Sequence, residues 1–161
     1  MLFSGTGLRV NKVKENLFEE LNMKVYTTFG DGIDGLKLTE SPEPKVKSNE
    51  VLVKMTAVSL NYRDLLVIKG VESWKPAEPR VPISDGVGEI VALGEEVSRF
   101  RLGDRVAGVF LPKWLDGELT PEKYVLPLGG AADGVLAEYR SLFQAATKNL
   151  KKPEEWVRKP L

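Results

Sequence analysis

Asn61 and Tyr62 stand side by side in the run Val58-Ser59-Leu60-Asn61-Tyr62-Arg63-Asp64 and are the best-equipped pair for chemistry in this chain. An amide both donates and accepts hydrogen bonds, and a phenol beside it adds a second donor. The same residues admit a purely structural reading, with Asn61 capping a helix through Leu65 and Tyr62 packing against its surroundings. Asp64 is expected to accept helix N-terminal amides or to pair with an arginine. Ser84 and Asp85 form a further polar pair, although an Asp before Gly86 is also ordinary turn material. Gly103-Asp104 reads as a tight turn. The 161 residues include neither cysteine nor histidine. Cysteine nucleophiles, Ser-His-Asp triads, disulfides and zinc sites built on His or Cys are therefore excluded.

These residues need elements to position them. Lys24–Phe29 is a β-like run stopped by Gly30-Asp31-Gly32, and Leu36–Ser41 is a second, ended by Pro42 and Pro44. Glu50–Leu60 is the strongest strand pattern, leading into a loop and a helical turn closed by Gly70. A proline-rich loop carrying Trp74 follows, then strands over Gly86–Leu93 and Asp104–Phe110. Gly86, Gly88 and Gly94 are expected where strands bend or pack closely. Leu111–Asp133 is long and irregular, and Val135–Tyr139 suits a last strand.

Two flanks differ in texture. Residues 9–22 space Val10, Val13, Leu17, Phe18 and Leu21 as an amphipathic helix, in an N-terminal extension over 1–22. Residues 140–161 form a basic C-terminal tail, six cations against Glu154 and Glu155, with one or two helical turns around Leu142 and Leu150. Such a diffuse charge bias reads as a solvated segment. The pattern as a whole predicts a mostly-β barrel or sandwich with short helices.

Composition narrows the setting. Lys plus Arg is 23 and Asp plus Glu is 23, so the net charge of zero gives no electrostatic case for nucleic acid or an anionic membrane. A chain of this length buries roughly two-thirds of its unfolded surface without a staple. No apolar run approaches the ~20 residues that span a bilayer, and the N-terminus lacks a signal-peptide core. The expected location is cytoplasmic.

Three motifs in order, Val58–Asp64 followed by Gly70, Pro79–Gly94 and Val97–Gly108, resemble the N-terminal catalytic domain of medium-chain dehydrogenases/reductases. Ala137-Glu138-Tyr139 adds a short fourth match. The resemblance covers Met23 to Tyr139 and is nearest to the zinc-independent, quinone-oxidoreductase-like branch. It implies a GroES-like β-barrel over 23–139. Zinc-dependent members carry a cysteine at the position of Asn61 and a Gly-His-Glu run at Ile83-Ser84-Asp85, so the resemblance implies no zinc here. It also implies hydride transfer to or from a quinone, enone, carbonyl or alcohol, with NADPH or NADH as cofactor. Asn61 and Tyr62 would then lie on the nicotinamide side and polarise the substrate oxygen.

The family binds its dinucleotide on a Rossmann domain, announced by a strand, Gly-x-Gly-x-x-Gly and a helix. Gly5-Thr6-Gly7 has Val10 at the third glycine position and Gly86-Val87-Gly88 has Val91, so neither is such a site. The barrel is accordingly expected to be incomplete, with no cofactor bound to this chain alone. The start ahead of Met23 and the divergent tail suggest a truncated, rearranged or mis-delimited reading frame, with a stand-alone module as the alternative. Three functions follow as expectations: a catalytic portion of an oxidoreductase acting on a small molecule, inactive alone; a non-catalytic binding or scaffold module; or a subunit completed by a separate Rossmann chain.

Overall fold

The computed structural model describes residues 22–150, so the helix expected over 9–22 lies outside the described residues apart from Asn22. The strand runs form as the patterning predicts. Strand β1 (Asn22–Thr27) pairs antiparallel with β2 (Lys37–Pro42) as a separate hairpin, with Met23 and Val25 facing inward. Strands β3 (Glu50–Ser59), β4 (Asp85–Leu93) and β5 (Arg105–Gly108) pair in sequence order as antiparallel neighbours. Register shifts at Leu52/Val53 and Met55/Ala57 interrupt the β3–β4 ladder. Bulges of this kind increase local twist, and the sheet curls into part of a GroES-like barrel. Gly86, Gly88 and Gly94 each sit where a neighbour leaves no room for a Cβ, as their expected packing role requires.

The sheet continues through the segment expected to be a solvated tail. Strand β6 (Tyr139–Phe143) pairs with β3, a single 3-10 turn spans Gln144–Ala146, and β7 (Thr147–Asn149) pairs with β5. The full order is β6-β3-β4-β5-β7. Leu142 turns inward and joins Val51, Val53, Ile90, Phe100 and Val106 in the core. The helical turns expected around Leu142 therefore give way to pairing with distant edges, which outweighs local spacing. Arg140 is not solvated either: burial pushes its guanidinium below the ordinary value, with Asp133 and Glu50 opposing that shift. Its Nη2 donates to the Asp133 carbonyl at 3.0 Å. The strand expected over Val135–Tyr139 is displaced toward the C-terminus. Leu136–Glu138 instead runs beside β1, linked by Tyr26 N–H to the Leu136 carbonyl and Glu138 N–H to the Lys24 carbonyl, each 3.0 Å.

Among the described residues one α-helix, α1 (Tyr62–Lys69), follows β3 after two residues and buries Val67 and Ile68. Gly70 ends it at φ 65°, ψ 42°, its N–H returning to the Val67 carbonyl. An added Cβ there would strike the Gly30 carbonyl oxygen. Gly70→Ala is therefore expected to cost about 2 kcal/mol or more, left-handed strain of roughly 1–2 kcal/mol plus the displaced Gly30 loop. A urea denaturation midpoint unchanged from the parent would contradict this.

Candidate functional site

The site forms where β3 hands over to α1 beside the start of β4. Ser59 and Asp85 are paired across the two strands, so the chain leaves β3 directly over the entry to β4. Asn61 then occupies the N-cap of α1 with extended backbone. Its N–H donates to Asp64 Oδ2 at 2.8 Å, and the Asp64 N–H returns to the Asn61 carbonyl at 3.0 Å. Asp64 is buried, and its other oxygen accepts from Arg63 Nη1 at 3.2 Å. Both structural roles expected of Asp64 are filled at once.

The side chain of Asn61 reaches across to β4. Its Nδ2 donates to Asp85 Oδ2 at 2.9 Å and approaches Ser84 Oγ at 3.4 Å. Ser84 is buried and Asp85 exposed, so the amide links a covered hydroxyl to a carboxylate open to solvent. The structure thus brings Asn61, Ser84 and Asp85 together, three residues of two separate motifs. Tyr62 does not join this group. It is 76% exposed, next to Leu60 at 77%. Gly103-Asp104 lies elsewhere, in a turn where Arg101 N–H donates to Asp104 Oδ2 at 2.9 Å.

The entry to β4 is held by an unusual backbone. Ile83, immediately before Ser84, is buried with φ 74°, a region that β-branched residues rarely occupy. Gly129 and Gly134 pack on its main chain: a Cβ on Gly129 would lie 2.6 Å from the Ile83 carbonyl carbon, and one on Gly134 would strike its oxygen. Val135 N–H donates to that same oxygen at 2.9 Å. Such strain persists only where the surroundings over-determine it.

Arg63 is a feature that composition and motif spacing do not single out. Its guanidinium carbon lies 4.8 Å from the Phe110 ring centroid and 5.5 Å from that of Trp74, within cation–π range. Its Nη1 also donates to the Leu128 carbonyl at 2.9 Å. The expectation of an arginine partner for Asp64 pointed to it without a position. The aromatic contacts come from residues 11 and 47 positions away and leave no local trace.

A small curled antiparallel barrel sheet, with the short helix α1 following β3, defines the class of domain. The chain belongs to the alcohol dehydrogenase GroES-like domain family, whose pattern it matches over residues 47–154. It is 44% identical over 112 residues to a zinc-type alcohol dehydrogenase-like protein of Schizosaccharomyces pombe, covering 69% of this chain and 32% of that one. It is 40% identical over 86 residues to a chloroplast envelope quinone oxidoreductase homolog of Arabidopsis thaliana, covering 52% and 26%. Among solved structures, a putative alcohol dehydrogenase from Sinorhizobium meliloti superposes with a TM-score of 0.70 at 40% identity, covering 80% of this chain and 38% of the other. The chain spans about a third or less of the length of these curated relatives.

The residues present do not fit zinc. Asn61, Ser84 and Asp85 offer an amide, a hydroxyl and one carboxylate, and the sequence holds no thiol or imidazole to complete a ligand set. No cluster of three or more acidic side chains able to hold a metal ion occurs among the described residues. The described residues likewise hold no glycine-rich strand–turn–helix for a pyrophosphate, and the N-terminus of α1 is answered by its own Asp64. No helix among them is long and apolar enough to cross a membrane.

Proposed function

We propose that this chain is the substrate-side portion of a zinc-independent NAD(P)H-dependent oxidoreductase, acting on a carbonyl, enone, quinone or alcohol and inactive without a dinucleotide-binding domain. The observation that carries the reading is the Asn61–Ser84–Asp85 contact. Zinc-dependent members of the resembling family place ligands at the positions of Asn61 and of Ile83-Ser84-Asp85, and here the same corner is tied by hydrogen bonds. In this reading the nicotinamide supplies or accepts a hydride when bound. The chain supplies donors for the oxygen that gains charge, and preorganised donors are the main electrostatic help such a step needs. Tyr62 O–H donates to that oxygen from the exposed rim. Asn61 fixes Asp85 and holds the nicotinamide-side wall. Exposed Val58, Leu60, Tyr62 and Leu65 surround this corner, an apolar rim that supports closure by a second domain, in the same polypeptide or as a separate chain.

The isolated chain is expected to bind NADPH no tighter than millimolar. Two neutral hydrogen bonds contribute about 1 kcal/mol each net, too little to offset the ordering of a dinucleotide. Calorimetry with NADPH checks this, and micromolar affinity would refute it. Supplying the Rossmann domain of a close relative, fused or in trans, is expected to give NADPH-dependent enone or quinone reduction. Tyr62→Phe should then lower kcat about tenfold or more with KM little changed, as loss of a donor to developing charge requires. Unchanged turnover in that variant would remove Tyr62 from the chemistry.

A further inference from the structure

A cavity of about 520 Å³ opens between α1, the segment around Trp74 and the loop carrying Tyr124 and Gly130. Its lining is one-sided in charge. Arg63, Lys75 and Arg80 contribute to the wall, and none of the residues lining it is acidic. Its aromatic faces are Trp74 and Tyr124.

The two arginines are incompletely satisfied. Arg63 spends Nη1 on Asp64 and the Leu128 carbonyl, and Arg80 spends Nη2 on Glu78 at 2.7 Å, with Nη1 3.6 Å from Asp133. Nε and Nη2 of Arg63 and Nε of Arg80 are buried without a hydrogen-bond partner. Among the described residues, the one other buried side-chain nitrogen or oxygen in that condition is Arg140 Nε. An unanswered buried donor costs about 1–3 kcal/mol, and more when charged, so such groups concentrated at one cavity call for an acceptor. Gly130 packs against one of them: a Cβ there would lie 2.8 Å from Arg63 Nη2, so any larger residue at this position would crowd the guanidinium that lines the wall.

We propose that this cavity binds an organic acid, a carboxylate carried on a flat aromatic or conjugated body. Guanidinium groups present planar forks that match a carboxylate, and Lys75 adds a mobile charge at the rim. Trp74 and Tyr124 cover the flat body by stacking. The inference stands on the cavity alone and goes beyond the hydride-transfer reading, so its test uses neither cofactor nor turnover.

The test is a titration of the ¹⁵N-labelled full chain with sodium benzoate, followed at the Trp74 indole N–H, which a Trp74→Phe variant assigns. Benzoate is expected to shift that resonance saturably, benzyl alcohol to leave it in place, and added salt to weaken the effect. Arg80→Gln should weaken benzoate binding about tenfold and Lys75→Gln about threefold. Lys75 is exposed, so its variant keeps the test valid if Arg80→Gln fails to fold. An equal response to benzyl alcohol, or affinity untouched in a folded Arg80→Gln or Lys75→Gln chain, would overturn the proposal. A shift reproduced in full by inorganic phosphate would overturn the requirement for an aromatic body.

Discussion

Deletion of residues 140–161 is expected to abolish the cooperative thermal transition and to leave an aggregating chain. The segment through Asn149 supplies both borders of the main sheet. β6 covers one side of β3 over five residue pairs, from Glu50–Phe143 to Lys54–Tyr139, and β7 covers β5 over three. Its loss opens two ladders of unpaired backbone groups, the condition under which strands recruit other chains. It also removes Leu142 from contact with Val51, Val53 and Phe100, and uncovers Val106. Truncating Leu142 alone to Ala costs about 2–5 kcal/mol, against a total stability of ~5–15 kcal/mol for a domain. Differential scanning calorimetry with light scattering reads both effects. A soluble monomer with an unchanged midpoint would show that the segment closes nothing.

Asp64→Ala is expected to be the most damaging single substitution at the site, lowering stability by about 3–5 kcal/mol. Its carboxylate is buried at 2% exposure and answers two donors, the Asn61 N–H and Arg63 Nη1. Removing one partner of a buried ion pair strands the other charge, which is why the loss exceeds what the pair contributes as a contact. The cap adds about 1 kcal/mol within that range. Asp64→Asn keeps an acceptor for the cap and should recover part of the loss. Urea denaturation of both variants checks the order, and equal midpoints for Asp64→Ala and the parent would overturn it.

Much of this architecture is readable from local pattern, and the reason is physical. Runs such as Glu50–Ser59 and Asp85–Leu93 are rich in β-branched residues, the second stopped by Gly94, and each lies in one element whose own residues decide its form. The Asn61–Asp64 cap is legible for the same reason, since donor and acceptor sit three positions apart. The residues after Tyr139 are not legible in this way. Leu142, Ala145 and Ala146 have a spacing that suits a helical turn, yet β6 and β7 form against strands about 40 to 90 residues earlier. Partners at that distance write nothing into the local sequence. The Asn61–Ser84–Asp85 corner is intermediate: each half is visible, while the contact depends on β3 and β4 meeting at Ser59 and Asp85.

The strained turn at Ile83 has a consequence for anyone moving this site to another scaffold. The backbone that aims Ser84 and Asp85 at Asn61 is braced by Gly129, Gly134 and Val135, nearly fifty residues downstream. A graft of Asn61, Ser84 and Asp85 alone would let Ile83 relax to negative φ and swing the carboxylate away from the amide. The transplantable unit is the corner together with the 129–135 loop. Exchange of that loop between relatives would therefore reset the corner without altering Asn61, Ser84 or Asp85.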